Sequence, residues 1–174
     1  MNAVAIHRAA SGDDLALSAV GAATFLETFA GVVNGVDILA HCARQHAQSV
    51  YQAWLGSPEY ALFLATIDPG AAPVGYAVLS PADVPIADPR PDDLEVKRIY
   101  LLSRFHGGGT GRALMDAALD EAKTRKAGRI LIGVYEGNAR AIAFYRKCGF
   151  AAAGTRRFSV GAGTYSDLLF AKDL

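Results

Sequence analysis

A chain of 174 residues, 52% apolar and 20% charged, has the make-up of an ordinary globular protein. Its length predicts one domain over residues 1–174 that buries roughly 70% of its unfolded surface. Lysine plus arginine equals aspartate plus glutamate at 17 each, which excludes a global basic field for nucleic acid and an acidic tail.

Residues 1–8 lack a long apolar run, and no later run nears the roughly 18 residues of a membrane span. The reading is a soluble, cytoplasmic protein with neither a nucleic-acid nor a membrane partner. Ala3–Ile6 with His7 and Arg8 predicts a short first strand, and Ser11-Gly12-Asp13-Asp14 supplies turn and N-cap chemistry. Leu15, Ala19, Ala22, Phe25, Leu26 and Phe29 recur at helical spacing. Gly31 and Asn34-Gly35 end that helix. A second is predicted from Val36 to about His46 and a third from Ala47 to Leu55, stopped by Gly56-Ser57-Pro58. His41 and His46 are poorly spaced for joint metal ligation and read as packing residues, as does Trp54. Cys42 and Cys148 show no metal or CxxC spacing and read as free thiols of a reducing compartment.

Tyr60–Ile67 and Val74–Leu79 predict a hairpin turned at Asp68-Pro69-Gly70. The following segment, S-P-A-D-V-P-I-A-D-P-R-P-D-D, is too rich in proline for a central strand or helix and reads as a loop into Leu94. Leu94 to Leu102 is a strand. His106 to Arg112 is a glycine-rich turn, and from Arg112 a helix is predicted to about Lys126, closed by Gly128. Ile130–Tyr135 is an almost wholly apolar strand, as at a sheet centre covered on both faces. Asn138 caps a helix to about Cys148, ended by Gly149. Phe150–Ser159 and Thr164–Ala171 form a last hairpin. The order predicts an α/β layered domain with a mixed sheet.

The stretch Leu94–Leu114 is the centre of this plan. Strand, glycine turn and helix start aim successive backbone N–H groups at one point, which suits a phosphate or pyrophosphate; the plain alternative is a tight βα turn. A P-loop fails, because Gly111 is followed by Arg112-Ala113 rather than Lys-Ser or Lys-Thr. A dinucleotide fingerprint fails too, with Arg112 or Leu114 where its third small residue belongs. What fits is H-G-G-G-T-G-R-A-L, which resembles the acetyl-CoA pyrophosphate loop of the GNAT N-acetyltransferase superfamily. His106 stands where the family usually has Gln or Arg. A second stretch, V-Y-E-G-N-A-R-A-I-A-F-Y-R-K-C-G-F, is similar to the family signature in which Asn opens a helix that F-Y-x-K-x-G-F closes. The resemblance covers nearly the whole chain. In its flanking segments, Phe25–Phe29, Pro73–Tyr76 and the last 17 residues, it looks most like the PaiA-type spermine/spermidine acetyltransferase branch.

The resemblance implies a GNAT-like mixed, splayed central β-sheet with helices on both faces. It also implies acetyl-CoA as cofactor, CoA as product, and no metal. Acetyl-CoA would lie where the sheet splays. Ile99, Tyr100 and Leu101 would meet its pantetheine arm. His106, Gly107, Gly108, Gly109, Thr110, Gly111 and Arg112 would hold the pyrophosphate. Asn138, Ala141, Phe144, Tyr145 and Lys147 would line the rest, with an ordinary helix cap as the lesser reading of Asn138 and core packing as the other reading of Phe144.

Acetyl transfer to an amine needs a neutral nucleophile, a donor to the carbonyl oxygen and a proton for the departing thiolate. Tyr145 is the family's usual acid, since a phenol of pKa about 10 can protonate a thiolate of pKa about 8.5; the alternative is a tyrosine packed against the cofactor. A backbone N–H near Leu101 would polarise the thioester. Glu95 is the candidate base, with an exposed or Lys97-paired carboxylate as the other reading. Phe25, Thr28 and Phe29 belong to the region that roofs the acceptor in this family. Asp83, Asp88, Asp92, Asp93, Glu95 and Glu27 either steer a cationic acceptor or are merely solvated. The expected activity is N-acetyl transfer to a small-molecule primary amine, polyamines included. A protein or peptide acceptor, or a CoA sensor without turnover, are the alternatives. Members of this family are often homodimers, but no segment identifies an interface.

Overall fold

The computed structural model describes residues 3–174. Strand β1 (Ala5–Arg8) leads to helices α1 (Asp14–Phe29), α2 (Gly35–Gln45) and α3 (Gln48–Leu55). Strands β2 (Ala61–Ile67), β3 (Ala72–Pro81) and β4 (Asp93–Leu101) follow, then α4 (Thr110–Thr124), β5 (Arg129–Tyr135) and α5 (Ala139–Lys147). Strands β6 (Ala151–Val160) and β7 (Gly163–Asp173) close the chain. The strands make one open sheet in the order β1-β2-β3-β4-β5-β7-β6, antiparallel throughout except where β4 meets β5. No described helix is long and apolar enough to cross a membrane.

Strand alternation sorts the core onto two faces. On one, α4 sets Leu114, Met115, Ala118 and Ala122 against Phe63, Ala77, Val96 and Ile130, and Tyr145 of α5 and Cys148 just after it join the same cluster. On the other, Leu17 and Val20 of α1 and Tyr51 of α3 pack on Leu62, Leu64, Tyr76 and Val78. Phe25, Phe29, Val33, Ile38 and Val160 continue that layer under α2. The mixed, helix-covered sheet expected from the sequence is present.

Several boundaries move for identifiable reasons. Strand β1 starts two residues later than expected and keeps His7 and Arg8, which pair with Leu64 and Phe63 of β2, while Arg8 reaches Glu121 at 2.7 Å. Helix α4 opens at Thr110, capped by Gly109 in the left-handed region, so Gly111 lies inside the first turn. The left-handed residue after α4 is Lys126, at φ 60, rather than Gly128. Gly128 instead lies against the carboxylate of Asp92. The proline-rich segment is a loop, and it also seats Val84 on Leu131 and Leu169.

The β4–β5 junction is clasped at its base. Arg129 donates from Nε to Asp93 Oδ1 (2.8 Å) and from Nη2 to Asp93 Oδ2 (2.6 Å), and its Nη1 reaches Asp88 at 3.1 Å. Both Arg129 and Asp93 are buried, and the guanidinium holds the Asp93 carboxyl below the ordinary carboxylate value. Removing one partner of such a pair leaves a charge buried without its counterpart. Asp93→Asn is therefore expected to lower unfolding free energy by about 3–5 kcal/mol, read as a lower urea midpoint at unchanged slope.

Candidate active site

Strands β4 and β5 pair only from Asp93 to Glu95, opposite Arg129 to Leu131. Beyond that they part. Strand β4 keeps its ladder with β3 as far as Leu101 opposite Gly75, while β5 keeps its ladder with β7 as far as Tyr135 opposite Asp167. The edges that face each other across the gap have no strand partner, and their backbone groups need one from water or a ligand. A cavity of about 540 Å³ occupies the gap and is lined from both faces of the sheet. A smaller cavity, of about 290 Å³, lies near β1 and α3, and its one charged side chain, Arg8, is already paired with Glu121.

On the α4–α5 face, Ile99, Leu101, His106, Gly107, Gly109, Gly111 and Arg112 line the cavity, with Asn138, Ala141, Phe144 and Tyr145 opposite. Gly107 and Gly109 have φ of 84 and 86, and nothing lies within 4 Å of where a Cβ would stand on either. The turn thus bares its backbone beside the start of a 15-residue helix, whose first N–H groups have no intrahelical acceptor. Arg112 is held by Asp116 at 2.8 Å. His106 donates from Nε2 to Leu101 O at 2.7 Å, and its Nδ1 is buried and unpartnered. The imidazole therefore braces strand to turn. Asn138 caps α5 by accepting from Ala141 N at 3.0 Å while it also lines the cavity. Tyr145 is 6% exposed among Phe144, Phe150 and Phe170, and burial pushes its phenol well above the ordinary value, which keeps the proton on it.

Three residues expected in the cofactor set are not in the lining. Gly108 is exposed on the outer side of the turn, and Thr110 is buried at the helix start. Lys147 is exposed on the last turn of α5, the end away from Asn138.

On the α1–α2 face, Phe25, Thr28 and Phe29 line the cavity, and Tyr100, expected beside the cofactor arm with Ile99 and Leu101, lies on this face instead. The Thr28 hydroxyl is engaged by Thr24 O at 2.7 Å, so it contributes shape more than hydrogen bonding. Glu95 is 3% exposed at the apex of the splay and accepts from Asp83 N at 2.9 Å. It is not paired with Lys97, which reaches Asp83 instead at 3.9 Å. The other acidic residues singled out in the sequence are not in the lining: Asp88 and Asp93 hold Arg129, Asp92 lies against Gly128, and Glu27 accepts from Ser103 N and Oγ.

Sequence reading missed His41, His46, Arg98, Arg140, Arg156, Phe158 and Asp167 as lining residues. Arg98 follows a bulge that shifts the β3–β4 register between Val78 and Leu79. Arg156 and Asp167 are opposite each other on β6 and β7 and join at 2.9 Å. His41 stacks on Phe25 with ring centroids 4.2 Å apart. Burial and the nearby Arg98 charge lower His41 to about 4 and His46 to about 3, so both are neutral at physiological pH. Among the described residues no group of three or more His, Cys, Asp or Glu side chains is disposed to hold a metal ion.

Comparison with known proteins agrees with this arrangement. Residues 35–150 match the model of the acetyltransferase (GNAT) family. An uncharacterised N-acetyltransferase of Mycobacterium tuberculosis is 33% identical over 158 residues, 91% of this chain and 96% of its own length. An uncharacterised N-acetyltransferase of Lactobacillus delbrueckii subsp. lactis is 25% identical over 174 residues, 100% of this chain and 99% of its own. The crystal structure of the PaiA N-acetyltransferase from Thermoplasma acidophilum in complex with coenzyme A superposes with a TM-score of 0.78 at 17% identity, covering 99% of both chains.

The neutral state of His46 has a consequence for stability. A histidine depressed to about 3 in the fold takes up a proton on unfolding once pH drops below its ordinary value of about 6.5. Its neutral burial is therefore fully compatible with the fold above that value, and stability falls as pH is lowered toward the folded value. His46→Phe is expected to flatten the decline between about pH 6.5 and 4 in urea melts taken across that range.

Proposed function

The chain belongs to the acetyltransferase (GNAT) family, and from that premise we propose that it transfers an acetyl group from acetyl-CoA directly to the primary amine of a small molecule. The observation that carries this reading is the cavity that opens through the sheet, with the bare glycine turn and helix start on one side and Glu95 and an aromatic roof on the other. The site fits coenzyme A by its own geometry. Nothing lies within 4 Å of a Cβ position on Gly107 or Gly109, so backbone N–H groups can approach a pyrophosphate closely. Residues Val96 to Leu101 have no β5 partner, which suits an amide-bearing arm laid alongside as an added strand.

Acetyl-CoA supplies the activated acetyl group; the chain's part is orientation and proton management. Glu95 Oε2 is fixed by Asp83 N–H, which sets the carboxylate to take a proton from the incoming ammonium, directly or through one water. The free nitrogen pair then forms the new N–C bond as the C–S bond breaks. Tyr145, which burial keeps protonated at rest, would give its phenol proton to the departing thiolate and regain one through water from the nitrogen of the new amide. A small acceptor is favoured because the chamber over β4 and β5 is roofed by Phe25, Phe29 and Thr28.

A thiol-release assay with acetyl-CoA and a panel of primary amines tests the reading; binding of CoA without turnover across the panel would instead support a sensor. Tyr145→Phe is expected to lower kcat by about 100-fold and leave CoA affinity, measured by calorimetry, within about twofold of wild type. Gly109→Val forces a branched side chain to φ 86 and fills the cradle, so calorimetry is expected to detect no CoA binding while circular dichroism still shows the folded chain.

A further inference from the structure

The chamber under α1 and α2 contains two buried polar atoms of opposite character, neither with a partner. The first is on His46, which is 2% exposed. Arg98 can only donate, and its Nη1 lies 3.0 Å from Tyr51 Oη and 3.5 Å from His46 Nδ1, while Nη2 donates to Gln45 O at 3.0 Å. Tyr51 Oη accepts from Arg98, so its own proton turns to His46 Nδ1 at 2.9 Å. Nδ1 is thereby the acceptor nitrogen, and the proton of the neutral ring sits on Nε2. That Nε2–H is buried and has no acceptor.

The second atom is Asp167 Oδ1. Asp167 is 4% exposed, and its Oδ2 accepts from Arg156 Nε at 2.9 Å. Its Oδ1 is buried without a donor. Asp167 stands on β7 opposite Tyr135 of β5, whereas Arg98 is on β4, so the two lie on either side of the splay. Tyr100, which also lines the chamber, feels both charges.

Charge in the chamber follows the same division. Arg98 has no carboxylate within ion-pair distance among the described residues; it stacks on Trp54 at 4.7 Å and bonds only neutral groups. Lys97, Arg98, Arg112, Arg140 and Arg156 line the cavity against Glu95 and Asp167. An acceptor made only of ammonium groups satisfies Asp167 but leaves His46 Nε2–H unpaired and meets the Arg98 charge. An acceptor with an amine and an anionic oxygen satisfies both.

Resting on the acetyl-transfer reading, we propose that the acceptor is an amine that also bears a carboxylate, as an amino acid does. Its carboxylate sits on His46 Nε2–H beside Arg98, and its amine lies on the Asp167 side of the chamber, its proton passing through water to Glu95, whose rung is four residues back along β5. His46 and Asp167 are then specificity-determining residues. Phe25, Phe29 and Phe158 offer an apolar bed for the remainder of the molecule.

The test is a set of matched pairs differing only in the carboxylate, phenylalanine with phenethylamine and leucine with isoamylamine, with spermidine alongside, in the thiol-release assay. The carboxylate-bearing member is expected to have kcat/KM roughly tenfold or more above its partner. His46→Phe is expected to bring that ratio close to one through KM, with CoA affinity unchanged. Phenethylamine or spermidine used as well as phenylalanine overturns the inference, as does a ratio that survives in H46F. The wild-type ratio decides even where the variant does not fold. If no member is acetylated, calorimetry of phenylalanine into the CoA-bound protein decides: binding that phenethylamine does not match supports the inference, and no binding at millimolar phenylalanine overturns it. A chain that fails to bind CoA overturns the acetyl-transfer reading first, and this inference with it.

Discussion

Everything that distinguishes this sheet from a closed one comes from a parallel pairing that stops after three residues. At the base, Arg129 grips Asp93 and Asp88, fixing the first rung of β4 against β5. Two residues past the last rung, β4 departs from its regular ladder with β3: Val96 pairs Leu79 and Arg98 pairs Val78, leaving Lys97 as the extra residue. A bulge of this kind bends its strand and increases local twist. Strand β5 has no such irregularity and stays with β7 along its whole length. One strand bends, its neighbour runs straight, and a wedge opens between them.

The wedge leaves backbone donors and acceptors that a folded chain ordinarily pairs. Such edges are tolerated because the residues around them are locked from elsewhere: β4 by β3, β5 by β7, the turn by His106 on Leu101 O, and α5 by the Asn138 cap. Rigid walls and bare edges together make a slot organised before any ligand arrives, which reduces the ordering a ligand must impose on binding. The same burial that shapes the slot also sets its protonation. Tyr145 is kept as a phenol, and His41 and His46 are kept neutral, by low polarity and, for the histidines, by the Arg98 charge.

How much of this the sequence reveals depends on how local each feature is. The glycine turn and the Asn138 cap are written in consecutive residues, so their backbone consequences can be read directly. Tyr145 is placed by its distance along one helix from that cap. Arg156 and Asp167 were not legible, because they meet only through the register of the last hairpin and through β7, rather than β6, lying next to β5. Arg98 was hidden by the bulge, which changes which side of β4 a residue faces. The acidic loop misled for the opposite reason: its aspartates look available in sequence, yet Asp88 and Asp93 answer a buried arginine more than 30 positions later. Lys147 lies in a motif but at the wrong end of its helix to reach the cavity.

Arg98 joins the fold to the site most directly. Its guanidinium reaches the end of α2 at Gln45 O, the phenol of Tyr51 on α3 and the indole of Trp54, so one side chain ties both short helices to the central strand. A lysine carries the charge but not the planar fork that meets these groups at once. Gly21 of α1 makes the arrangement possible, since a Cβ there would collide with the Tyr51 hydroxyl and His46 Nδ1. Because Arg98 can only donate, it also decides which nitrogen of His46 keeps the proton. The residue that closes the roof therefore sets the polarity of what lies beneath it, and a change made to loosen the helices would alter the acceptor chamber in the same step.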